Sequence, residues 1–174
     1  MNDRYWYSIT DEEREAWGPG PWLNEPSKVQ WIDHYSDFDC LVVRNRHGSL
    51  CGYVGLPPGH RAHGCDYDAV DVEVHGGLTF ADSCDEIGAV ERPDRAICHV
   101  PEPGRPADVW WLGFDCGHFM DLSPGLAAME REYGIEKMLD HPHLRPVYRD
   151  MAYVRTEVQN LAKQLAFPSE REDT

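Results

Sequence analysis

The chain has 174 residues, of which 41% are hydrophobic and 27% are charged, and its formal net charge at pH 7 is −15. This length suits one domain spanning residues 1–174, and a domain of that size buries roughly 70% of the surface that its unfolded chain exposes. The negative charge disfavours general binding to nucleic-acid phosphates, and no apolar run approaches the roughly 20 residues that a membrane helix needs.

The N-terminal segment, residues 1–38, is predicted to be mostly irregular with one short helix. Thr10 and Glu13 have the spacing of a capping box, and Gly18 is expected to end the helix that they begin. The prolines and glycines of GPGPWLNEP, which follows, are incompatible with regular structure. The first residues lack the basic start and apolar core of a secretory signal, so we expect a cytoplasmic protein.

Residues 39–115 are predicted to form the sheet. The stretches DCLVVRN and LCGYVGL flank residues 46–49 and are typical of a hairpin of two buried strands. Residues 70–75, VDVEVH, alternate apolar and polar side chains as a strand does. AICHV, residues 96–100, and VWWLGFD, residues 109–115, indicate two more strands, whereas the polar residues 82–95 are expected to be irregular.

Two helices are predicted after the sheet. Ser123 and Pro124 are a typical N-cap and first residue for a short helix over residues 123–134. A longer helix over residues 146–167 has an apolar stripe with spacings of four and three, formed by Val147, Met151, Val154, Val158, Leu161 and Leu165. Because residues 39–115 offer no helix between strands, the expected fold class is α+β, a mainly antiparallel sheet packed by the long C-terminal helix. The stripe could alternatively form the seam of a homodimer.

The six cysteines include no C-x-x-C pair. Disulfides belong mainly to oxidising compartments, and a cytoplasmic protein is expected here. We therefore predict that most of the cysteines are reduced residues of the core.

The candidate site lies where two predicted strands could be neighbours. Side chains two residues apart share a strand face, so Glu73 and His75 lie on the polar face of residues 70–75. Residues 109–115 end in Asp115, and His118 follows shortly afterwards. If the strands are adjacent, Glu73, His75, Asp115 and His118 converge as candidate catalytic residues. The alternative is a solvated strand face with purely structural hydrogen bonds.

This residue set suits a metal. His75, Asp115, His118 and Asp121 supply imidazole and carboxylate ligands for zinc, manganese or iron, and such a centre can activate water. Glu73 would act as a ligand or as a general base, and Asp121 would alternatively orient a histidine. In this interpretation Trp111 forms one wall of the site, while Gly76, Gly77 and Arg44 contact the substrate.

Other catalytic interpretations use parts of the same segments. Residues 113–117, GFDCG, fit a nucleophile elbow with Asp115 as the nucleophile, and HGG at residues 75–77 resembles an oxyanion loop. Cys116 could instead be a thiolate nucleophile with His118 as its base.

Two further groups have a weaker chemical signal. His60, His63 and Cys65 have plausible metal-ligand spacing, but no second pair completes a zinc-finger pattern. Several tryptophans in or beside irregular segments could stack on a nucleobase, although core packing is their usual role.

The sequence resembles a group of short uncharacterised proteins of bacteriophages and prophages. The resemblance lies in CGYVGLPPGH, DVEVHGGLTFAD, ICHVP, VWWLGFDCGHFMDLSPG and VYRDMAYVRTEVQNLAKQL. It implies no particular activity and transfers no catalytic residue. It implies a protein that acts in the bacterial host cytoplasm, in counter-defence or host takeover.

Two classes of function are therefore expected. The first is a small hydrolase, metal-dependent or acid–base, that acts on a small nucleotide-like substrate. The second is a non-enzymatic inhibitor or nucleic-acid mimic that engages a basic host protein. Residues 64–94 favour the second class, because they carry nine acidic residues and one basic residue, a net charge of −8. The sequence does not choose between enzyme and binding protein.

Overall fold

Six antiparallel strands form one sheet in the computed structural model, which describes residues 3–134 and 145–167. They are β1 (Arg4–Trp6), β2 (Lys28–Ile32), β3 (Asp39–Arg44), β4 (Leu50–Leu56), β5 (Phe80–Ser83) and β6 (Trp110–Asp115). Their order in the sheet is β1-β2-β3-β4-β6-β5, and every neighbouring pair is antiparallel. The predicted α+β class with a mainly antiparallel sheet is confirmed.

Four helices accompany the sheet in the described residues: α1 (Asp11–Trp17), α2 (Glu86–Glu91), α3 (Pro124–Tyr133) and α4 (Met151–Ala166). The predicted capping box of α1 is confirmed, because Thr10 Oγ1 accepts from the Glu13 N–H while Glu13 Oε2 accepts from the Thr10 N–H. Within GPGPWLNEP, residues Pro21–Asn24 form a 3₁₀ turn that begins at a proline, so this stretch is more regular than predicted. No helix in the described part of the chain is long and apolar enough to span a membrane.

Strands β3, β4 and β6 form the buried centre of the sheet. The hairpin between β3 and β4 is confirmed, and Asn45 Oδ1 closes it by accepting from the N–H groups of His47 and Ser49. In β6 the side chains alternate as predicted: Leu112 and Phe114 join one hydrophobic cluster, and Trp111 joins the other. Because apolar side chains cover both faces of these strands, their sequences are nearly continuous runs of hydrophobic residues.

The larger hydrophobic cluster contains residues of the sheet and of α4. Val154, Val158 and Leu161 of the helix belong to the same cluster as Val54 and Leu112. Gly52 of β4 makes this approach possible, because a Cβ atom there would lie 2.5 Å from Val158 Cγ2. The start of α4 differs from the prediction. Val147 forms a parallel bridge with Asp121, and the helix begins only after Asp150, whose side chain accepts from the Tyr153 N–H.

Residues 70–75 are not a strand, which corrects the prediction. The alternation of faces is present, since Val70, Val72 and Val74 are packed against the core. The backbone of Glu73, however, exchanges hydrogen bonds with the side chain of Gln164 in α4. The segment therefore lies along the helix instead of joining the sheet, and the strand next to β6 is β5.

Residues 80–100 also differ from the prediction. The stretch expected to be irregular contains the end of β5 and helix α2, which Asp85 caps by accepting from the Gly88 N–H. Residues 96–100, predicted as a strand, have no regular structure. Side chains of β2 hold them instead: Lys28 donates to the carbonyls of Ala96 and Cys98, and Gln30 bonds both backbone groups of Val100.

The cysteines divide into two groups. Cys40, Cys51, Cys65 and Cys116 are free, as expected for most of the six. Cys84 and Cys98 instead form a disulfide, with 4.7 Å between their Cα atoms. The prediction missed this pair because spacing along the chain does not reveal that the residues after β5 and before His99 lie side by side.

Candidate functional site

Three chain segments meet at one cluster of polar side chains. They are the turn after residues 70–75, the loop between β6 and α3, and the first turns of α4. We call His75, His118 and Asp121 the histidine–aspartate cluster. The centroids of the two imidazole rings are 5.3 Å apart, and one carboxylate oxygen, Asp121 Oδ2, lies 2.8 Å from His75 Nε2 and 3.3 Å from His118 Nδ1.

His75 is fixed on three sides. Its Nε2 contacts Asp121, its Nδ1 lies 2.9 Å from the Tyr153 hydroxyl, and its backbone N–H donates to Glu157 Oε2 at 3.0 Å. Tyr153 and Glu157 are one helical turn apart on α4, so this helix orients the imidazole. A hydroxyl can donate or accept, and Tyr153 can therefore support either neutral tautomer of His75.

Asp121 is the centre of the cluster, with a side chain that is only 2% exposed. Besides its contacts with both imidazoles, Oδ2 accepts from the His118 backbone N–H, and Oδ1 accepts from Arg149 Nε at 2.9 Å. Burial raises the pKa of Asp121, but the hydrogen bonds from His75, Arg149 and His118 lower it more, and the net shift is downward. The carboxylate is thus ionised, as a metal ligand or a partner of a histidine requires.

His118 is the open side of the cluster, since its side chain is 37% exposed. Its ring lies against Gly76, where a Cβ atom would be only 2.0 Å from His118 Cε1. Gly76 has a φ of +67°, and the turn is closed by the Gly77 N–H, which donates to the Val74 carbonyl. The HGG sequence therefore serves a tight turn that leaves room for His118.

The three side chains could hold one metal ion. Each offers a ligand atom, and these atoms lie within 4.8 Å of one another. In a tetrahedral site with metal–ligand distances of about 2.1 Å, neighbouring ligand atoms are about 3.4 Å apart. The contacts of 2.8 and 3.3 Å around Asp121 Oδ2 are near this value, and no two of the three ligand atoms are more than 4.8 Å apart.

Asp115 and Glu73 lie outside this three-residue group. Asp115 was predicted as a metal ligand, but its oxygens accept from Thr79 Oγ1 and from the Gly117 N–H. By strand alternation it lies on the Trp111 face of β6, opposite Leu112 and Phe114. Glu73 is exposed and borders a groove of about 410 Å³ that Glu157 also lines. Only two of the four predicted catalytic residues, His75 and His118, therefore come together in the cluster.

Two predicted substrate contacts are placed elsewhere. Trp111 is 0% exposed and lies in the second hydrophobic cluster, so it cannot form a wall of the site. Arg44 is buried, forms an ion pair with Glu25 and donates to the Tyr148 hydroxyl. Its charge is used inside the fold and is not free for a phosphate.

The other catalytic interpretations receive little support. Cys116 is buried, and burial together with the nearby carboxylate of Asp121 raises the pKa of its thiol, which disfavours a thiolate nucleophile. His60 accepts from the Ala62 N–H and contacts the Leu165 carbonyl, while His63 lies beside Trp110. These loop histidines pack against the core.

Sequence reasoning missed Arg149, Tyr153 and Glu157. They are spaced by four residues and form a polar file beside the apolar stripe of the C-terminal segment. That spacing was a usable signal for Tyr153 and Glu157, because residues four apart on a helix share a face, whereas Arg149 lies just before α4.

The acidic-surface interpretation stays a prediction. Asp82, Asp85 and Glu86 are exposed around the start of α2, as an interaction surface would require. On α2 itself, Ile87 and Val90 are also exposed.

Comparisons of the chain with protein-family models, with curated proteins and with solved structures found no match. The similarity to short phage proteins therefore stays a prediction as well.

Proposed function

We propose that the histidine–aspartate cluster binds a divalent metal ion, and that the protein is a metal-dependent hydrolase of a small substrate. One observation carries the proposal: three ligand atoms of the types that zinc prefers lie within 4.8 Å of one another. Three protein ligands leave a coordination position open, which is typical of catalytic rather than structural zinc.

Neighbouring residues hold two of the proposed ligands, His75 and Asp121, through hydrogen bonds. With a metal on His75 Nε2, the Nδ1–H would donate to the Tyr153 hydroxyl, which now lies 2.9 Å away. Arg149 holds Asp121 Oδ1 and leaves Oδ2 toward the histidines. Such partners fix the tautomer and orientation of metal ligands. A bound ion would supply Lewis-acid activation of water or of the substrate.

A substrate would approach from the exposed side of His118. Phe119, the next residue, is 80% exposed and offers an apolar ring in place of the buried Trp111. The groove bordered by Glu73 and Glu157 also contains Lys163, whose ammonium could attract an anionic group such as a phosphate. Glu73, which borders the same groove, would serve as the general base. A nucleotide-like substrate is compatible with these features.

Metal titration of the purified protein tests this proposal. After chelator treatment, and with the Cys84–Cys98 disulfide intact, the wild type should bind one zinc or manganese ion per chain by calorimetry. His118→Ala should weaken binding by roughly 10- to 100-fold, by analogy with the loss of supporting residues. His118 is partly exposed, so the variant should remain folded. His34→Ala, at an exposed histidine away from the cluster, is the matched control. Equal binding by His118→Ala and wild type would refute the site.

Removing the Tyr153 hydroxyl should lower the metal affinity of the cluster by less than removing a ligand does. Tyr153→Phe keeps the ring that lies against Arg149 but deletes the partner of His75 Nδ1. We expect metal affinity to fall by about 10-fold with the fold intact, as measured by calorimetry and thermal unfolding. Tyr35→Phe, at an exposed tyrosine, should leave affinity unchanged. Unaltered affinity in Tyr153→Phe would show that the hydroxyl does not support the ligand.

A further inference from the structure

A second group of potential metal ligands lies away from the histidine–aspartate cluster, at the other end of β5. Cys84 follows this strand, and Cys98 and His99 belong to the irregular segment before β6. The two cysteines form a disulfide, and Cys84 Sγ lies 3.9 Å from His99 Nδ1. The two sulfurs and an imidazole nitrogen lie within 4.8 Å of one another.

The orientation of His99 is fixed. Its Nε2 lies 3.2 Å from the Pro106 carbonyl, which can only accept, so Nε2 carries the proton. Nδ1 is consequently the unprotonated nitrogen, and its lone pair is directed toward the sulfur of Cys84. The ring is 4% exposed and lies edge-on to Trp111, which limits its rotation. A histidine whose second nitrogen donates to a backbone carbonyl is the usual arrangement of a zinc ligand.

The distances suit zinc once the disulfide is opened. With Zn–S of about 2.3 Å and Zn–N of about 2.0–2.1 Å, a tetrahedral site separates two sulfurs by about 3.8 Å and a sulfur from a nitrogen by about 3.6 Å. The distance from Cys84 Sγ to His99 Nδ1 is already 3.9 Å. The two sulfurs, which are bonded to each other in the disulfide, must move apart, and rotation about their Cα–Cβ bonds allows this.

The segment that carries two of the ligands is anchored without the disulfide. Lys28 is buried, and its ammonium donates to the carbonyls of Pro93, Ala96 and Cys98. Gln30 bonds both the N–H and the carbonyl of Val100. These contacts hold the backbone on both sides of Cys98 and His99, so reduction should leave the three ligands close together.

An entry path is also present. Cys84 lines a groove of about 630 Å³ together with Asp85, Glu86 and Asp108. These carboxylates favour the approach of a cation, and water or one of them could occupy the fourth coordination position.

We propose that Cys84, Cys98 and His99 form a zinc site in the reduced protein, and that disulfide formation releases the metal. A dithiol reduces the disulfide with two electrons and becomes a disulfide itself, and the two cysteine thiols lose their protons when Zn²⁺ binds. A disulfide oxidant reverses the reaction: the two thiolates lose two electrons and form the S–S bond, the oxidant takes up these electrons and two protons from solvent to become a dithiol, and Zn²⁺ leaves.

The test uses full-length protein with His75→Ala and His118→Ala, so that metal at the histidine–aspartate cluster does not contribute. After reduction and removal of the dithiol under anaerobic conditions, this protein should bind one Co²⁺ per chain with a thiolate-to-cobalt charge-transfer band, and Zn²⁺ should displace it. The unreduced protein should show no such band. Adding Cys84→Ser should weaken binding at least 100-fold, whereas Cys65→Ser, at a free cysteine, should have no effect.

Thiol protection gives a readout that does not depend on the variants. In the reduced wild-type protein, Zn²⁺ should slow alkylation of Cys84 and Cys98 but not of Cys65, as measured by mass spectrometry of peptides. The proposal is overturned if reduced protein gives no thiolate–cobalt band, or if Zn²⁺ leaves the alkylation of Cys84 and Cys98 unchanged. Neither result would bear on the histidine–aspartate cluster.

Discussion

Asp121→Asn should strongly weaken metal binding and also destabilise the fold, the largest combined effect expected of any single substitution in the cluster. The carboxylate is nearly buried and accepts hydrogen bonds from His118 and Arg149 while also contacting His75. An asparagine of the same shape replaces one acceptor oxygen with an NH₂ donor, which would face another donor. Hydrogen bonds to charged groups contribute about 1.5–3 kcal/mol each, so we expect a loss of about 2–3 kcal/mol in the free energy of unfolding.

The loss of metal affinity in Asp121→Asn should be larger than the loss caused by removing a residue that only supports a ligand. Asp121 supplies the only anionic ligand of the cluster, so we expect affinity to fall by more than about 100-fold, beyond the 10- to 100-fold typical of supporting residues. Asp115→Asn is the matched control, since Asp115 was predicted as a ligand but accepts from Thr79 and Gly117 instead. If Asp115→Asn loses metal and Asp121→Asn keeps it, the ligand set proposed for the cluster is wrong.

The stability difference should also depend on pH. The pKa of Asp121 in the folded protein is lowered from its ordinary value of 3.8. The ionised carboxylate therefore contributes its full stabilisation at pH values above the ordinary pKa, and this contribution is lost as the pH falls through the lowered pKa. In chelator, the gap in unfolding free energy between wild type and Asp121→Asn should narrow as the pH falls below about pH 4. Urea unfolding at each pH measures this gap, and a gap that widens below about pH 4 would contradict the assignment.

The parts of the fold that were predictable from sequence are those with strong local signals. The capping box of Thr10 and Glu13, the hairpin between β3 and β4, and the alternating faces of β6 depend on residues close in the chain. Residues 70–75 show the limit of such signals. Their alternation correctly predicted which side chains face the core, but alternation does not specify whether the neighbouring element is a strand or a helix.

The candidate site was partly predictable for the same reason. His75 and His118 lie in separate segments, and their proximity was expected from adjacent strands; they meet instead because a turn and a loop converge beside α4. Asp115 and Trp111 were expected beside His118, but alternation along β6 places them on the face opposite Leu112 and Phe114. The alternation was predictable, whereas the face that α4 covers was not: residues of α4 share a cluster with Leu112 and Phe114, and Trp111 belongs to the other cluster.

Gly76→Ala should weaken metal binding through geometry alone, without changing any ligand. Gly76 has a φ of +67°, and Gly77 has a φ of +85°. Alanine at either position therefore carries the penalty of the left-handed region, about 1–2 kcal/mol. The two positions differ in space: a Cβ at Gly76 would lie 2.0 Å from His118 Cε1, whereas a Cβ at Gly77 would contact nothing within 4 Å.

This difference makes Gly77→Ala a matched control for Gly76→Ala. Both variants should lose similar amounts of unfolding free energy, because the partly exposed His118 ring can swing toward solvent when a methyl group displaces it. Only Gly76→Ala should separate His118 Nδ1 from Asp121 and weaken metal binding by more than about 10-fold, since a displaced ligand costs at least as much as a lost supporting residue. Calorimetry measures the affinity, and the imidazole NMR signals of His118 report its position. Equal metal affinity in the two variants would mean that contact between Gly76 and His118 does not set the geometry of the site.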